Sequence, residues 1–303
     1  MKSNLLKKCC LVLVAIILLI WGLWFFLRGN IDKIIHTQLK EVEKANAGLV
    51  VGLERITPGI VPSVQISGIG LLVPISGLPF PFYIEQTSLD LKISPLLFLD
   101  LETQLDARLY DGSLRATMGR PIFSPEYTAN IAADSLEIGK HPWGEHLELN
   151  GKIQLVAQAT SSDPDSSKFL QSSECTFSLH ITDGSYGGGH KIAGLVLMPK
   201  VNDIEISANG KLSSGILWLS SIKGSSTLGQ VVGRAKIDVS NRSSLQLHQM
   251  IVELTLSSQG EGLLGSYLAL AGGYPTEESG RIWEISFQKT KVGSAKWQII
   301  RKG

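Results

Sequence analysis

The chain has 303 residues, of which 44% are hydrophobic and 18% charged, and 28 lysines and arginines balance 27 acidic residues to a net charge of +1. This length allows one large domain or two small ones. No basic run with interleaved aromatic residues appears, which argues against nucleic acid as a partner. The 31 glycines and the short β-branched runs between turn-forming residues favour a fold of many strands.

The first element is an apolar segment at residues 9–27, which contains no charged residue. A helix of this length spans about 28 Å, close to the roughly 30 Å hydrocarbon core of a bilayer. Lysines precede the segment and aromatic residues lie toward its far end, which predicts a membrane anchor with a cytoplasmic N-terminus. The residues expected in the membrane are Leu11, Leu13, Ile16, Leu19, Trp21, Trp24, Phe25 and Phe26.

The alternative interpretation of this segment is a cleaved signal peptide, whose apolar region usually has about 7–15 residues and a small-residue cleavage site. Here "FFLRGN" follows the apolar run, and Cys9 and Cys10 stand at its start, where a lipoprotein cleavage site fits badly. An uncleaved single-pass anchor is favoured, with residues 1–8 in the cytoplasm and everything after residue 28 outside it. Cys175 is the only cysteine of that exported part, so no intramolecular disulfide is expected there.

Residues 28–47 are predicted to form a stalk helix. Ile31, Ile34, Ile35, Leu39 and Val42 recur at helical spacing, with charged residues on the other face. The segment is too short for several sustained heptads, so a stalk that packs on its own domain is favoured over a coiled-coil arm.

After residue 48 the apolar period changes to two, which predicts a dozen or more half-buried antiparallel strands. A first β region at 48–158 and a second at 175–303 are separated by a predicted loop or linker at 159–174. Short helices are expected at 94–99 and 261–273. The expected fold class is therefore mainly β: a transmembrane helix and a stalk helix, then an elongated, twisted, mostly antiparallel β-sheet or open sandwich.

Turns are predicted at "YDGS" 110–113, "LNGK" 149–152, "ANGK" 208–211 and "SSG" 213–215. Asn-Gly and Asp-Gly suit two-residue hairpins because both turn positions need positive φ. The alternation also predicts that six inward positions line an apolar groove. These positions are Leu147, Leu149, Ile204, Ile206, Ile237 and Val239.

Three segments contain residue types that carry chemistry elsewhere. "HPWGEH" 141–146 lacks the spacing of an inverted zinc-protease motif, and its proline and glycine predict a turn without a helix. The carboxylates of "LDLETQLDARLYDG" 99–112 alternate with leucines, which predicts the wet face of a strand. "DGSYGGGHKIAG" 183–194 lacks the spacing of a dinucleotide loop and is predicted to be a wide turn. No catalytic residue, cofactor site or metal site is expected, and the protein is not expected to be an enzyme.

The anchor, the stalk, "LDLKISPLLFL" 89–99 and the hairpin "LDARLYDGSLRATM" 105–118 together resemble bacterial type II secretion system protein N, the general secretion pathway protein N, in its longer form. The closest match is the stretch of strands and "NGKL" turn at 201–248. The resemblance covers most of residues 9–300 and includes no catalytic signature. It implies a single-pass inner-membrane protein whose periplasmic β-domain works with other components of the apparatus that moves folded proteins through the outer membrane.

The same strand pattern, "SPLLFL" included, is also similar to AsmA-like proteins. That similarity implies a second function, in which a periplasmic β-domain binds or transfers phospholipid along an apolar groove.

Overall fold

A computed structural model describes residues 18–45, 48–75, 78–92, 95, 100–162, 172–189, 191–192, 196–197, 199–240, 246–266, 268–269, 282–289 and 295–302. Strands account for 66% of these residues. The mainly β fold class expected from the period-two pattern is therefore confirmed.

Helical structure precedes the strands. Residues 18–28 form helix α1, and helix α2 spans Ile31–Ala45, within the predicted stalk. In the part of the chain that the structure describes, no helix is both long and apolar enough to cross a membrane. The predicted anchor begins outside the described residues, and so do three of its named positions, Leu11, Leu13 and Ile16.

The remaining anchor positions lie in α1. Leu19 and Phe26 are largely exposed, and the rings of Trp21 and Phe25 lie 6.1 Å apart. The indole N–H of Trp24 donates a hydrogen bond of 3.3 Å to the carbonyl of Gly59. The aromatic end of α1 is thus tied to the loop that follows the first strand.

Sixteen strands are described. They are β1 (Val50–Pro58), β2 (Ser63–Ile75), β3 (Leu78–Lys92), β4 (Asp100–Leu109), β5 (Gly112–Pro121), β6 (Tyr127–Glu137), β7 (Leu149–Ser161), β8 (Ser173–Tyr186), β9 (Lys191–Ile192), β10 (Val196–Leu197), β11 (Val201–Ser213), β12 (Ile216–Ser226), β13 (Gly229–Asp238), β14 (Gln246–Leu256), β15 (Ile282–Lys289) and β16 (Ala295–Lys302).

Fourteen of these strands form one open antiparallel sheet, in chain order except that β8 pairs directly with β11. Strands β9 and β10 pair with each other instead. Of the two arrangements expected from the sequence, the single sheet is the one observed. Strand order follows chain order because short connections join antiparallel neighbours.

The chain divides into two compact units, Met1–Leu109 with Ser113–Ala129, and Tyr110–Gly112 with Asn130–Gly303. The linker predicted at 159–174 overlaps the end of β7 and the start of β8, and its residues 163–171 lie outside the described part. The boundary predicted there stays a prediction.

In the first unit, the core follows strands β2–β4. Val64, Thr87 and Ala107 are buried, and Thr87 lies directly opposite Ala107. On the opposite face of β4, Asp106 accepts a hydrogen bond of 2.7 Å from the guanidinium of Arg115. This hydrogen bond lowers the pKa of the Asp106 carboxyl. Asp106 thus lies on the side of β4 away from the buried Ala107, as the alternation predicts, whereas Leu101 on the Ala107 side is 43% exposed.

Two of the predicted turns are wrong. "LNGK" lies in β7 and "ANGK" in β11, and each marks a register shift, between Asn150 and Lys152 and between Asn209 and Gly210. In each case the extra residue lies in the neighbouring strand, β8 for the first and β12 for the second. The "SSG" turn is confirmed, because Ser214 and Gly215 adopt φ of 51° and 75° between β11 and β12.

The segment "HPWGEH" is not the helix-free turn that was expected. Helix α3 (Pro142–His146) follows a 3-10 turn at Ile138–Lys140, because proline suits the first helical position, where no N–H is needed. A Cβ on Gly144 would lie 1.9 Å from the carbonyl of Ile138, so glycine permits this close packing. His141 is buried, with its ring 5.3 Å from that of Tyr110.

The other two predicted helices fall at the margins of the described residues. Of the helix at 94–99, only residue 95 is described. Near 261–273, a short helix α4 (Ser258–Gly260) continues as a π-helical turn at Glu261–Gly265, and residues 270–273 lie outside the described part.

Gly184 tests how tightly the bulge of β8 constrains the sheet. It lies opposite Ile204, and an added Cβ would lie 2.5 Å from the Ile204 carbonyl oxygen. We expect Gly184→Ala to lower the free energy of unfolding by about 2 kcal/mol, measured by thermal or urea denaturation.

The matched control is Gly70→Ala, where an added Cβ meets no atom within 4 Å. Equal stability of the two variants would contradict the close approach of β8 and β11.

Candidate functional site

The most extensive feature of the second unit is the apolar side of strands β7, β8 and β11–β16, here called the apolar face. Directly opposed residues of antiparallel strands project to the same side of a sheet. One row across the eight strands comprises Leu155, Leu179, Ala208, Ile222, Gly233, Val252, Ile285 and Ile299. The next comprises Ala157, Phe177, Gly210, Leu219, Ala235, Met250, Phe287 and Trp297. No charged residue interrupts either row.

A third row extends the apolar face on its other side. It comprises Ile153, Ile181, Ile206, Gly224, Val231, Leu254, Trp283 and Arg301. Most residues of the face are only half-buried, although Trp283 is 1% exposed. A contiguous apolar surface that keeps this much exposure typically marks an interaction site.

The opposite side of the same strands, here called the polar face, carries a different composition. Its central band has two rows. One comprises Gln158, Thr176, Lys211, Trp218, Lys236, Gln249, Gln288 and Lys296. The other comprises Val156, Ser178, Asn209, Ser221, Arg234, Ile251, Ser286 and Gln298. The band contains four cationic residues and no carboxylate.

A cavity of about 360 Å³ opens on the apolar face among strands β8 and β11–β14. Its lining is mainly apolar and includes Val201, Ile204, Ile206, Leu254 and Leu264. Pockets of roughly 300–1,000 Å³ with such linings accommodate small apolar ligands. The cavity therefore suits an alkyl group, and the hydroxyl-bearing residues Tyr186, Ser225 and Ser226 also belong to its lining.

One wall of the cavity comes from the helical segment at residues 258–265, which contributes Leu264. The hydroxyl of Ser257 caps this segment, accepting a 3.0 Å hydrogen bond from the N–H of Gly260 and donating one of 2.8 Å to the carbonyl of Thr227. The two bonds fix where the segment leaves β14, and so where Leu264 lies.

Beside this wall lies a half-buried ion pair. The guanidinium of Arg301 donates to Glu261 at 2.8 Å and lies 5.2 Å from the ring centroid of Trp283. The second carboxylate oxygen of Glu261 and the indole N–H of Trp283 are buried and have no hydrogen-bond partner among the described residues. A buried donor and a buried acceptor left unpaired are unusual in a folded protein; neither Glu261 nor Trp283 lines the cavity.

The structure places the six predicted groove positions unequally. Ile204 and Ile206 line the cavity. Leu149 and Ile237 lie on the apolar face outside it, opposite Tyr186 and Leu217 respectively. Leu147 lies in the turn before β7, and Val239 follows β13, where its N–H donates to the carbonyl of Gly215.

Sequence reasoning named no residue of strands β14–β16, although these contribute a large part of the apolar face. The alternation of Trp283, Ile285 and Phe287 was the available signal. The pair of Glu261 and Arg301 had no such signal, because 40 residues separate its members.

The glycine run at 183–194 starts inside the sheet, which corrects the prediction of a wide turn from residue 183. Its first residues, through Tyr186, belong to β8, and Gly188 and Gly189 follow with φ of 90° and 86°. Lys152 and Asp183 form an exposed ion pair of 3.4 Å at the edge of a polar cavity of about 570 Å³. Within the described residues, no group of three or more His, Cys, Asp and Glu is arranged to hold a metal ion.

Cys175 provides a chemical probe of the apolar face, where it lies opposite Ala159 and Leu212. Burial raises the pKa of its thiol, which reduces the fraction of reactive thiolate at any pH below that pKa. With Cys9 and Cys10 replaced by serine, we expect iodoacetamide at pH 8 to alkylate Cys175 roughly tenfold more slowly in the native chain than in urea. Mass spectrometry gives both rates, and equal rates would show that the thiol is not shielded.

Comparisons of the chain with protein-family models, curated proteins and solved structures give no match.

Proposed function

We propose that the protein is a non-enzymatic, inner-membrane-anchored component of the type II protein secretion apparatus, whose periplasmic β-sheet acts as an assembly scaffold. Two observations support this proposal. The sequence pattern of residues 89–118 and 201–248 resembles that of type II secretion protein N. The sheet is open and ends in an edge strand suited to binding another protein.

The edge strand β16 is the observation that carries the proposal. It pairs with β15 on one side, and no described strand pairs with its other side. Trp297 and Ile300, which project to opposite sides of β16, are 58% and 41% exposed. Main-chain hydrogen bonding to such an edge supplies affinity, and the exposed side chains supply specificity.

The opposite edge strand, β1, is less open. Helix α2 lies against it, and the carboxylate of Glu43 accepts a hydrogen bond of 2.6 Å from the N–H of Val51. A side chain that occupies an edge N–H blunts that edge against strand addition. Strand β16 is therefore the edge at which a partner is expected to dock.

Site-specific photo-crosslinking tests the scaffold proposal. With Ile300 replaced by benzoylphenylalanine, we expect crosslinks in intact cells to components of the secretion platform. The same replacement of Val156, which is 55% exposed but lies on the inner strand β7, is expected to give none. We also expect deletion of the gene to trap secreted enzymes in the periplasm. Normal secretion in the deletion strain would overturn the proposal.

A second candidate function is the binding of phospholipid, which the apolar cavity favours. Ile204, Ile206 and Leu254 provide an aliphatic lining for an acyl chain.

Lipid recovered from the purified protein tests this second function. We expect Ile206→Asp to remove most co-purifying phospholipid, since a buried carboxylate opposes an alkyl chain. Ile206→Trp, which fills the cavity without adding charge, is expected to have the same effect in a folded chain. Val232→Asp is the matched control, because Val232 lies on the polar face and is 53% exposed. Retention of lipid by both Ile206 variants would exclude the cavity as its site.

A further inference from the structure

The polar face carries a second feature that neither proposed function uses. A cleft of about 420 Å³ lies over strands β12–β14, and its lining includes Trp218, Ser220, Arg234, Lys236 and Gln249. From these residues we infer that the cleft is a binding site for a phosphate group.

The cleft originates in a bulge of β12. The register of β12 with β13 passes from Leu219 opposite Ala235 directly to Ile222 opposite Gly233. Arg234 therefore faces the two bulged residues, Ser220 and Ser221, instead of a regular partner. A bulge of this kind locally widens the strand spacing and re-aims side chains, which is why bulges are frequent beside binding sites.

The lining of the cleft contains two cations and no carboxylate; Glu253 lies outside it on the same face, opposite Val232. Lys236 lies over the ring of Trp218, with Nζ 4.4 Å from the ring centroid. Arg234, two residues earlier on the same side of β13, has no hydrogen bond or ion pair among the described residues. Two cations on one side of one strand repel each other unless an anion lies between them.

The surroundings reinforce this charge. The central band of the polar face holds Lys211 opposite Trp218 and contains no carboxylate. Lys211 is paired with Glu174 at 3.1 Å, and the cations that line the cleft itself are Arg234 and Lys236. The nearest carboxylate along β13, that of Asp238, accepts hydrogen bonds from Ser240 and lies 3.6 Å from His248; Asp238 does not line the cleft.

The donors present select the class of anion. A planar guanidinium, an ammonium and the amide of Gln249 together offer more N–H donors than one carboxylate accepts. A phosphate group presents three or more oxygens and matches such a set. The cation–π contact with Trp218 orders the Lys236 side chain in advance, which lowers the entropic cost of binding.

Phosphate titrations of the full-length protein in phosphatidylcholine nanodiscs test the inference. We expect inorganic phosphate and dihexanoyl phosphatidylglycerol to bind by calorimetry, more weakly as chloride is raised. In the double variant R234Q/K236Q, binding is expected to be roughly ten- to hundredfold weaker. The matched control K140Q/K152Q removes two lysines that already pair with Asp111 and Asp183 and is expected to bind as the wild type does.

The single variant Trp218→Leu tests the ordering of Lys236 separately, and we expect it to weaken phosphate binding several-fold without changing the melting temperature. If dihexanoyl phosphatidylglycerol binds, inorganic phosphate does not, and R234Q/K236Q abolishes lipid binding, the phosphate group that the cleft recognises belongs to a lipid headgroup. Binding of an oligoglutamate peptide without either phosphate compound would overturn the inference. So would equal phosphate affinity of the two double variants.

Discussion

The second unit depends on one constraint, that each long strand keeps its apolar residues on the same side of the sheet. Strict alternation would break this rule in β12, where Leu219 and Ile222 are three residues apart. The bulge between them restores the phase, so that both lie on the apolar face. In β14, a second register shift does the same for Leu247 and Met250. A slip of one residue would otherwise reverse every later side chain.

The bulges of neighbouring strands coincide, which explains how so many irregular positions coexist in one sheet. Gly151 in β7, Asp183 in β8 and Asp203 in β11 all adopt positive φ, at 138°, 54° and 54°. The register of each pair shifts at these residues. Because irregularities align across the strands, hydrogen bonding resumes on both sides of them. Leu149, Tyr186 and Val201 thereby stay opposite one another on the apolar face.

The sequence predicted that the chain forms many strands better than it predicted where those strands turn or shift register. Period-two alternation predicted the strands, and Ser214 and Gly215 predicted a hairpin. The Asn-Gly pairs misled because glycine also has uses inside strands: Gly151 has positive φ at a register shift, and a Cβ on Gly210 would lie 2.5 Å from the Phe177 ring. The local sequence does not show whether an Asn-Gly pair forms a turn or lies inside a strand. That depends on whether the chain reverses at the glycine or continues along the same neighbouring strand. The pair of Glu261 and Arg301 shows the same limit, since it joins the helical segment after β14 to β16, which are far apart in the chain.

The two proposed functions use different exposed features of the second unit, the apolar cavity for lipid and the free edge of β16 for a protein partner. Each square ångström of apolar surface taken out of water contributes about 25 cal/mol, so whatever covers the face stabilises the bound state. An acyl chain in the cavity near Ile206 and a protein strand at β16 use this free energy at different places. Lipid in the cavity leaves Trp297 and Ile300 available, so the two modes of binding are compatible in one molecule.

The alternation of β13 gives the two faces of the sheet separate chemistries on one strand. Gly233, Ala235 and Ile237 belong to the apolar face, whereas Arg234 and Lys236 point to the opposite side. A substitution at one of these residues therefore acts on one ligand chemistry at a time. The bulge at Ser220 and Ser221 is the exception, because it holds the apolar row in phase and also opens the cleft under Arg234. Deleting one bulged residue would disturb both faces together, which makes this irregularity the structural link between them.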